Sequence, residues 1–298
     1  MKLLSGSSNQ ALAASIAKSL GIQELSVDLS KFANGEKRVW IKDTVQGENV
    51  IVVQSFSHPT DEHIIETLLI ADALERLGAR HVNLVIPWLG YSLQDKSFRA
   101  GEPIAAKVVA NLISHAYVKR VFLLDLHNSS TPGFFSVPSH HLSAQNILAD
   151  HARTIIGLEN TVIASPDFGG LKRSHAFASL LDIELVKLDK HRDLHSGEIT
   201  EMGLSGDVTG KKVLLLDDII LSGGTAIEAA RLLKEHGAKE VHFLATHGVF
   251  VNEGLKKIGA SALDSVIISN SIAQATLPKT IKQLDCAPAF AEALKGWL

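Results

Sequence analysis

An acidic pair followed by a turn rich in glycine and hydroxyl side chains is the first candidate for chemistry. Asp217 and Asp218 follow an apolar run, and the segment 221–225 reads Leu-Ser-Gly-Gly-Thr. Glycines allow a sharp turn, and free N–H groups at a helix start, together with two hydroxyls, suit a phosphate monoester. Carboxylates in contact with a phosphate would repel it, so we predict that they accept hydrogen bonds from sugar hydroxyls. The candidate residues of the turn are Leu221, Ser222, Gly223, Gly224 and Thr225.

The same pattern has a purely structural alternative, in which an acidic pair at a strand end caps a helix beside a glycine turn. The residue types alone do not decide between the two. We therefore looked for further polar residues that follow apolar runs, because ligands of parallel α/β sheets bind outside the carboxyl ends of the strands.

A histidine and an aspartate follow two other apolar runs. His127 lies in the segment Asp-Leu-His-Asn at 125–128, and Asp167 lies in Ser-Pro-Asp at 165–167. If they met across a cleft between two halves, they could hold a divalent ion that bridges phosphates, and Mg²⁺ suits the oxygen-rich part. Taken alone, each residue is also typical of a helix cap or a satisfied core group.

Two cations occur at the start of a charged segment. Lys190 and Arg192 are two residues apart, so at a strand end they project on one side, where they could neutralise charge on a transferring phosphoryl group. A charged loop start is more often simply solvated. The segment 189–207 has few apolar residues and is predicted to be a mobile loop. The glycine spacings of the P-loop and of the dinucleotide-binding motif are absent, so any nucleotide must be bound by a different motif.

The elements that must position these residues are short apolar runs that alternate with helix-patterned segments. In the predicted helix 61–77, Ile65, Leu69, Ala73 and Leu77 repeat at every fourth residue. Strands without polar alternation, separated by helices, predict an α/β fold with mainly parallel sheets covered on both faces. The predicted strands are 50–53, 82–86, 121–124, 161–164, 184–188, 212–216, 241–245 and 265–268.

The chain length and the repeated alternation of strands and helices in both halves predict two similar domains. The 298 residues equal roughly two domains of about 150 residues each. The polar stretch 128–143 is the best place to divide them, which gives domains 1–142 and 143–298. We expect the last part of the chain, about 20 residues, to pack on the N-terminal domain.

Composition excludes several classes of protein. Twenty-nine Lys and Arg stand against 32 Asp and Glu, so no basic excess is available to bind a nucleic-acid backbone. One cysteine, Cys286, cannot form an internal disulfide and suggests a reducing compartment. The first residues turn polar too soon for a signal peptide, and no apolar run approaches the ~18 residues of a membrane span. We expect a cytoplasmic protein without nucleic-acid or membrane partners.

Several segments together resemble the ribose-phosphate diphosphokinase family, also called phosphoribosyl pyrophosphate (PRPP) synthetase. The segment Phe-Ala-Asn-Gly-Glu at 32–36 resembles the family's adenine-contacting loop, which reaches into a neighbouring subunit's site. The segment around 94–95 resembles its second ATP motif, and Gly-Glu-Pro-Ile at 101–104 follows as in archaeal-type members. The resemblance therefore assigns ATP binding to Phe32, Asn34, Gly35, Glu36, Gln94 and Asp95.

The other candidate residues fall in the same motif order along nearly the whole chain. His127 and Asp167 lie in segments that resemble the two metal-ligand segments, and Lys190 and Arg192 match the catalytic Lys-x-Arg. The segment 217–225 resembles the ribose 5-phosphate loop, which the family shares with the phosphoribosyltransferases. The resemblance implies two related phosphoribosyltransferase-like domains, Mg²⁺ as cofactor and a homo-oligomer. It also implies that the C1 hydroxyl of ribose 5-phosphate attacks the β-phosphorus of ATP, giving PRPP and AMP.

Three positions depart from the family pattern. Leu93 stands where most members carry Arg, so a cation expected near the nucleotide is missing. Leu221 replaces a polar residue, and His191 replaces a common basic residue. Two alternatives remain open: a phosphoribosyltransferase that consumes PRPP, and a catalytically silent homologue that regulates partner subunits.

Overall fold

The computed structural model describes residues 1–165, 169–192 and 199–297, with the backbone alone at 189–192 and 199–203. Its strands are β1 (Lys2–Ser5), β2 (Gln23–Glu24), β3 (Val27–Lys31), β4 (Lys37–Ile41), β5 (Asn49–Val53), β6 (His81–Ile86), β7 (Arg120–Leu124), β8 (Ser139–Leu142), β9 (Thr161–Ser165), β10 (Leu185–Arg192), β11 (Ile199–Ser205), β12 (Lys212–Ile220), β13 (Glu240–Gly248), β14 (Ser265–Ser269) and β15 (Ile281–Leu284). Its α-helices are α1 (Gln10–Leu20), α2 (Thr60–Arg76), α3 (Ala105–His115), α4 (Gln145–His151), α5 (Leu171–Leu181), α6 (Gly224–Glu235), α7 (Gly254–Gly259) and α8 (Ala287–Lys295).

The chain separates into two compact units. Unit 1 comprises Met1–Ser143, Asn270–Ala273 and Asp285–Leu298, and unit 2 comprises Ala144–Ser269 and Gln274–Leu284. The last helix, α8, therefore belongs to unit 1, where it contacts α1.

Unit 1 is built on a six-stranded parallel sheet in the order β2-β1-β5-β6-β7-β8. Its central strands are buried on both faces, as the uninterrupted apolar runs predict. Strands β3 and β4 form a separate antiparallel hairpin whose inner side chains pack against the same core. The stripe that begins with Ile65 and Leu69 lies on the exposed side of α2, and the buried side carries Ile64, Ile70 and Leu74.

Unit 2 is built on a seven-stranded sheet in the order β11-β10-β9-β12-β13-β14-β15. Every pair is parallel except the edge pair β10–β11. The α/β fold with mainly parallel sheets is thus confirmed, and each predicted strand coincides with a strand of one of the two sheets.

The predicted loop at 189–207 is wrong over much of its length. Strand β10 continues to Arg192, and β11 pairs with it antiparallel in a register that joins Leu188 to Leu204. Because the ladder is formed by backbone groups, which do not depend on apolar side chains, this strand pair can form without a run of apolar residues. Residues 193–198 lie outside the described part of the chain.

The end of the chain is held by aromatic and polar contacts within unit 1. The Arg120 guanidinium lies 3.9 Å from the Trp297 ring centroid, and the His140 ring lies 5.5 Å from it. Cys286, at the start of α8, is buried, and its Sγ lies 3.0 Å from Asn270 Oδ1. Among the described residues, no helix has the length and apolar character needed to cross a bilayer.

Candidate active site

The acidic pair lies inside β12 rather than after it, because this strand continues to Ile220. Asp218 is almost fully buried, with 2% of its surface exposed, and Asp217 is partly buried. Both carboxylates accept from the same nitrogen: Arg173 Nη1 lies 3.0 Å from Asp217 Oδ1 and 2.9 Å from Asp218 Oδ1.

The two carboxylates share one guanidinium, that of Arg173. Burial and the neighbouring Asp218 raise the pKa of Asp217 to about 8, although Arg173 opposes the shift. Near neutral pH the pair therefore holds a proton readily, and it favours any ligand that brings hydrogen-bond donors. Sugar hydroxyls are donors of this kind, and their binding to the acidic pair stays a prediction.

The turn that follows β12 requires glycine at one position. Gly223 has φ +79°, and a Cβ at this residue would lie 2.8 Å from Ile258 Cγ1. Helix α6 begins here, and its first hydrogen bond runs from Ile227 N to Gly223 O at 2.9 Å. The N–H groups before that bond have no acceptor within the helix, and Gly224 and Thr225 are exposed. The turn therefore presents donors at the positive end of a helix dipole, which suits an anion.

The turn is supported by backbone contacts from the segment before α7. Val249 N donates to Ile220 O at 2.9 Å, and Val251 N donates to Leu221 O at 3.0 Å. A Cβ at Gly254 would lie 2.9 Å from Leu221 O, so this backbone approach is also close. Leu221 contributes its carbonyl to the support while its side chain is 39% exposed. The departure from the family pattern at this residue therefore leaves the hydrogen bonds that support the turn in place.

Arg173 was missed by the sequence analysis. It lies in the first turn of α5, which carries no acidic residue there, and 44 positions separate it from Asp217. A cation at a helix N-terminus opposes the helix dipole and requires a compensating partner. The adjacent Lys172 and Arg173 in such a turn were the signal that could have identified it.

Gln94 and Asp95 of unit 1 lie in a fixed loop. Ala106 N donates to Gln94 O at 3.1 Å, which ties the loop to the start of α3. The Asn128 side-chain amide donates to the Asp95 carboxylate, so the structure brings Asp95 and the 125–128 segment together. In that segment His127 is exposed.

The loop between β3 and β4 presents an aromatic ring. Phe32 N donates to Glu36 O at 2.8 Å, Gly35 N donates to Phe32 O at 2.9 Å, and Gly35 has φ +92°. Asn34 Oδ1 accepts from Glu36 N at 3.2 Å. Phe32 is 53% exposed, and the Arg38 guanidinium lies 6.0 Å from its ring centroid. A flat aromatic ligand can stack on such a ring.

The candidate residues fall into separate groups. The residues at 32–36, 94–95 and 127 lie in unit 1, whereas the acidic pair and the turn lie in unit 2. Lys190 and Arg192 belong to β10, but their side chains are not described, and Asp167 lies outside the described residues. Within the described ranges, no three His, Cys, Asp or Glu side chains converge on one metal position.

The fold and the turn define a class: parallel α/β proteins with an exposed glycine turn between a strand end and a helix. Two family models match the chain, the "N-terminal domain of ribose phosphate pyrophosphokinase" over residues 1–116 and the "phosphoribosyl synthetase-associated domain" over residues 187–296. Ribose-phosphate pyrophosphokinase from Helicobacter hepaticus is 38% identical over 99% of this chain and 94% of its own length, and that from Bacillus caldolyticus is 39% identical over 99% and 93%.

A solved structure agrees with these relatives. Phosphoribosylpyrophosphate synthetase from Mycobacterium smegmatis matches with a TM-score of 0.92 and 32% identity, covering 99% of this chain and 98% of that one. The chain belongs to the ribose-phosphate pyrophosphokinase family.

Proposed function

We propose that this chain transfers the diphosphoryl group of Mg-ATP to the C1 hydroxyl of ribose 5-phosphate, giving PRPP and AMP. The structural observation behind the proposal is that Asp217 and Asp218 share Arg173 and are followed, three to eight residues further along the chain, by the exposed glycine turn at 221–225. This arrangement provides acceptors for sugar hydroxyls and donors for a phosphate side by side. Membership of the family supports the same reaction.

The ribose phosphate occupies the turn in this proposal. Its phosphate accepts hydrogen bonds from the N–H groups and hydroxyls at Ser222, Gly224 and Thr225, and its ring hydroxyls donate to the acidic pair. Arg173 holds the two carboxylates together and offsets part of their repulsion. These contacts fix the orientation of the sugar, which is the larger part of what a protein contributes to phosphoryl transfer.

The group transfer requires one bond to form and one to break. The C1 oxygen forms a bond to the β-phosphorus and loses its proton, while the bond between that phosphorus and the α–β bridging oxygen breaks and AMP leaves. Negative charge accumulates on the phosphoryl oxygens, and Lys190 and Arg192 are the cations that we assign to neutralise it. Loss of one such cation is expected to lower turnover by about three orders of magnitude, by analogy with an arginine finger.

The nucleotide is assigned to unit 1. Phe32 stacks on the adenine, Asn34, Gly35 and Glu36 complete that loop, and Gln94 and Asp95 lie beside the phosphate-bearing part. As in the family, we propose a homo-oligomer in which the 32–36 loop completes a neighbouring subunit's site.

Mg²⁺ is the proposed cofactor, with His127 and Asp167 as its candidate ligands. His127 is exposed, so its ring is accessible to a hydrated ion. Magnesium prefers oxygen and usually keeps waters and substrate phosphates, so the carboxylate of Asp167 and the phosphates would supply most ligands. When bound, the ion neutralises charge on phosphate oxygens. We place the protein in the cytoplasm, where its single thiol would stay reduced.

One assay tests the proposal. Purified chain is incubated with Mg²⁺, ATP and ribose 5-phosphate, and AMP and a diphosphorylated sugar are expected in equal amounts. Lys190→Ala should lose about a thousandfold in turnover, and near-normal turnover would disprove that assignment. If AMP is not released from ATP, and the matching nucleoside product is not released from ADP or other nucleoside triphosphates, the silent homologue is favoured instead. Conversion of PRPP and a base to a nucleotide would favour the transferase. Including several donors also tests whether Leu93 changes the nucleotide preference.

A further inference from the structure

Four charged side chains meet at the base of the 32–36 loop. Lys31 and Lys37 are directly opposite each other in the β3–β4 register, one before and one after the loop. Residues directly opposite in an antiparallel pair project on the same face, and two like charges there are destabilising unless other groups compensate them. The compensation comes from α2, which packs against β4.

The compensating residues are Glu62 and Glu66, which are four apart and therefore share one face of α2. Lys31 Nζ lies 2.8 Å from Glu62 Oε1, and Lys37 Nζ lies 2.9 Å from Glu66 Oε2 and 3.4 Å from Glu62 Oε2. We call these four residues the hairpin charge cluster. Its formal charges sum to zero, and its ion pairs connect the hairpin to the helix.

The inner part of the cluster is buried and fully engaged. Glu66 is only 1% exposed, and its carboxylate also accepts from Ser7 N at 2.8 Å, Ser7 Oγ at 2.9 Å and Gln54 Nε2 at 2.7 Å. Burial alone would raise the pKa of Glu66, but hydrogen bonds from Ser7, Lys37 and Gln54 outweigh it and lower that pKa. Glu66 thus stays ionised and connects the hairpin to the end of the central sheet.

The apolar contacts of the hairpin decrease toward the loop. The inward pairs along β3 and β4 run from Val27–Ile41 through Leu29–Val39 to Lys31–Lys37. The first two pairs pack against the core of unit 1, whereas the last pair reaches α2 through its ammonium groups. The cluster is therefore the last attachment before the exposed Phe32 ring.

We propose that the hairpin charge cluster positions the 32–36 loop for the nucleotide, a role that rests on the function proposed above. Lys37 and Glu66 are its positioning residues, and neither is assigned contact with the substrate. Buried ion pairs often fix one arrangement rather than add stability, which is what a loop that must present Phe32 at a defined place requires.

The test is Lys37→Met, which keeps the aliphatic length and removes the charge. Lys42→Met is the matched control, because Lys42 is exposed on the same hairpin and lies over Trp40 rather than on α2. We expect Lys37→Met to raise the KM for ATP about tenfold while kcat and the KM for ribose 5-phosphate change less than about twofold. Hydrogen exchange at the amides of Phe32 and Gly35 should become faster, and Lys37→Arg should restore both properties.

A second variant keeps the proposal testable if Lys37→Met does not fold. Lys37→Met combined with Glu66→Gln removes both buried charges together, and it should show the same selective rise in the KM for ATP. The positioning role is overturned if the wild type is active and the variants keep its KM for ATP. It is also overturned if kcat falls and both KM values rise together. A wild type that forms no AMP overturns the proposed function itself, so the two failures are distinguishable.

Discussion

The two units each contain a turn between a strand and a helix, and they use it in opposite ways. In unit 1 the β1–α1 turn is filled by the protein's own side chains: Glu66 accepts from Ser7, and Gln54 Oε1 accepts from Ser8 N at 3.0 Å and Ser8 Oγ at 2.7 Å. In unit 2 the β12–α6 turn leaves Gly224 and Thr225 exposed. One turn therefore serves the fold, and the other remains open to a ligand.

The carboxylates beside the two turns also differ in their hydrogen-bond partners and in the direction of their pKa shifts. Glu66 has a lysine and three further donors, and its pKa is lowered although burial opposes this. Asp217 shares one arginine with Asp218, and burial with that neighbour raises its pKa to about 8. Glu66 is thus held ionised by donors within the fold, whereas the raised pKa of Asp217 would suit a ligand that brings hydrogen-bond donors.

The largest effect is expected from removing the compensated carboxylate. Glu66→Gln should lower the free energy of unfolding by about 3 kcal/mol near neutral pH, because it leaves the partly buried Lys37 ammonium without its nearest carboxylate. A group with a lowered pKa stabilises the fold above its ordinary value near 4.5, and that contribution is lost as the pH falls through this range. Urea unfolding should therefore show wild type and variant converging in acid. A constant difference at all pH values would contradict the assignment.

Substitution of one glycine in each turn should give the next largest effects and should distinguish the two turns. Gly223→Ala introduces a Cβ against Ile258 at φ +79°, and we expect the KM for ribose 5-phosphate to rise about 100-fold, equivalent to ~2.7 kcal/mol. Gly6→Ala is the counterpart in unit 1, where the Cβ would lie 2.2 Å from Gln54 Oε1. It should reduce stability by about 2 kcal/mol with an unchanged KM in the folded enzyme. Equal effects of both variants on the KM would remove the distinction.

Much of the scaffold of both units was predictable from the sequence, because runs such as 50–53 and 212–216 are apolar enough to identify buried parallel strands. The β3–β4 hairpin was not predicted, since its alternation extends over only five residues in each strand. The polar contacts were harder to predict from the sequence. Arg173 is distant in sequence from the acidic pair, and Glu66 lies on the buried face of a helix whose more obvious apolar stripe is exposed. Such partners are set by tertiary packing, which local patterns do not contain.

Asp217 should produce the opposite pH dependence from Glu66. Because the pKa of Asp217 is raised from 3.8 to about 8, the folded state binds the proton more tightly than the unfolded state, and stability falls as the pH rises between these values. Asp217→Asn should remove this fall, so its stability relative to wild type should increase by roughly 1 kcal/mol for each pH unit between pH 5 and pH 8. Urea unfolding measured across that range tests the sign, and a relative stability that does not change with pH would show that the pair is ionised throughout.

Serine substitutions give the smallest and sharpest comparison. Ser8→Ala removes a hydroxyl that donates to Gln54 and accepts from Ser55 N at 2.7 Å, so it should lower stability by about 1–2 kcal/mol and leave the KM for ribose 5-phosphate unchanged. Ser222→Ala should raise that KM about tenfold and change stability by less than about 0.5 kcal/mol. Thermal unfolding and initial rates on both variants measure the two properties independently. If Ser222→Ala lost stability without a change in KM, the β12–α6 turn would be satisfied internally like its counterpart, and the ligand would have to bind elsewhere.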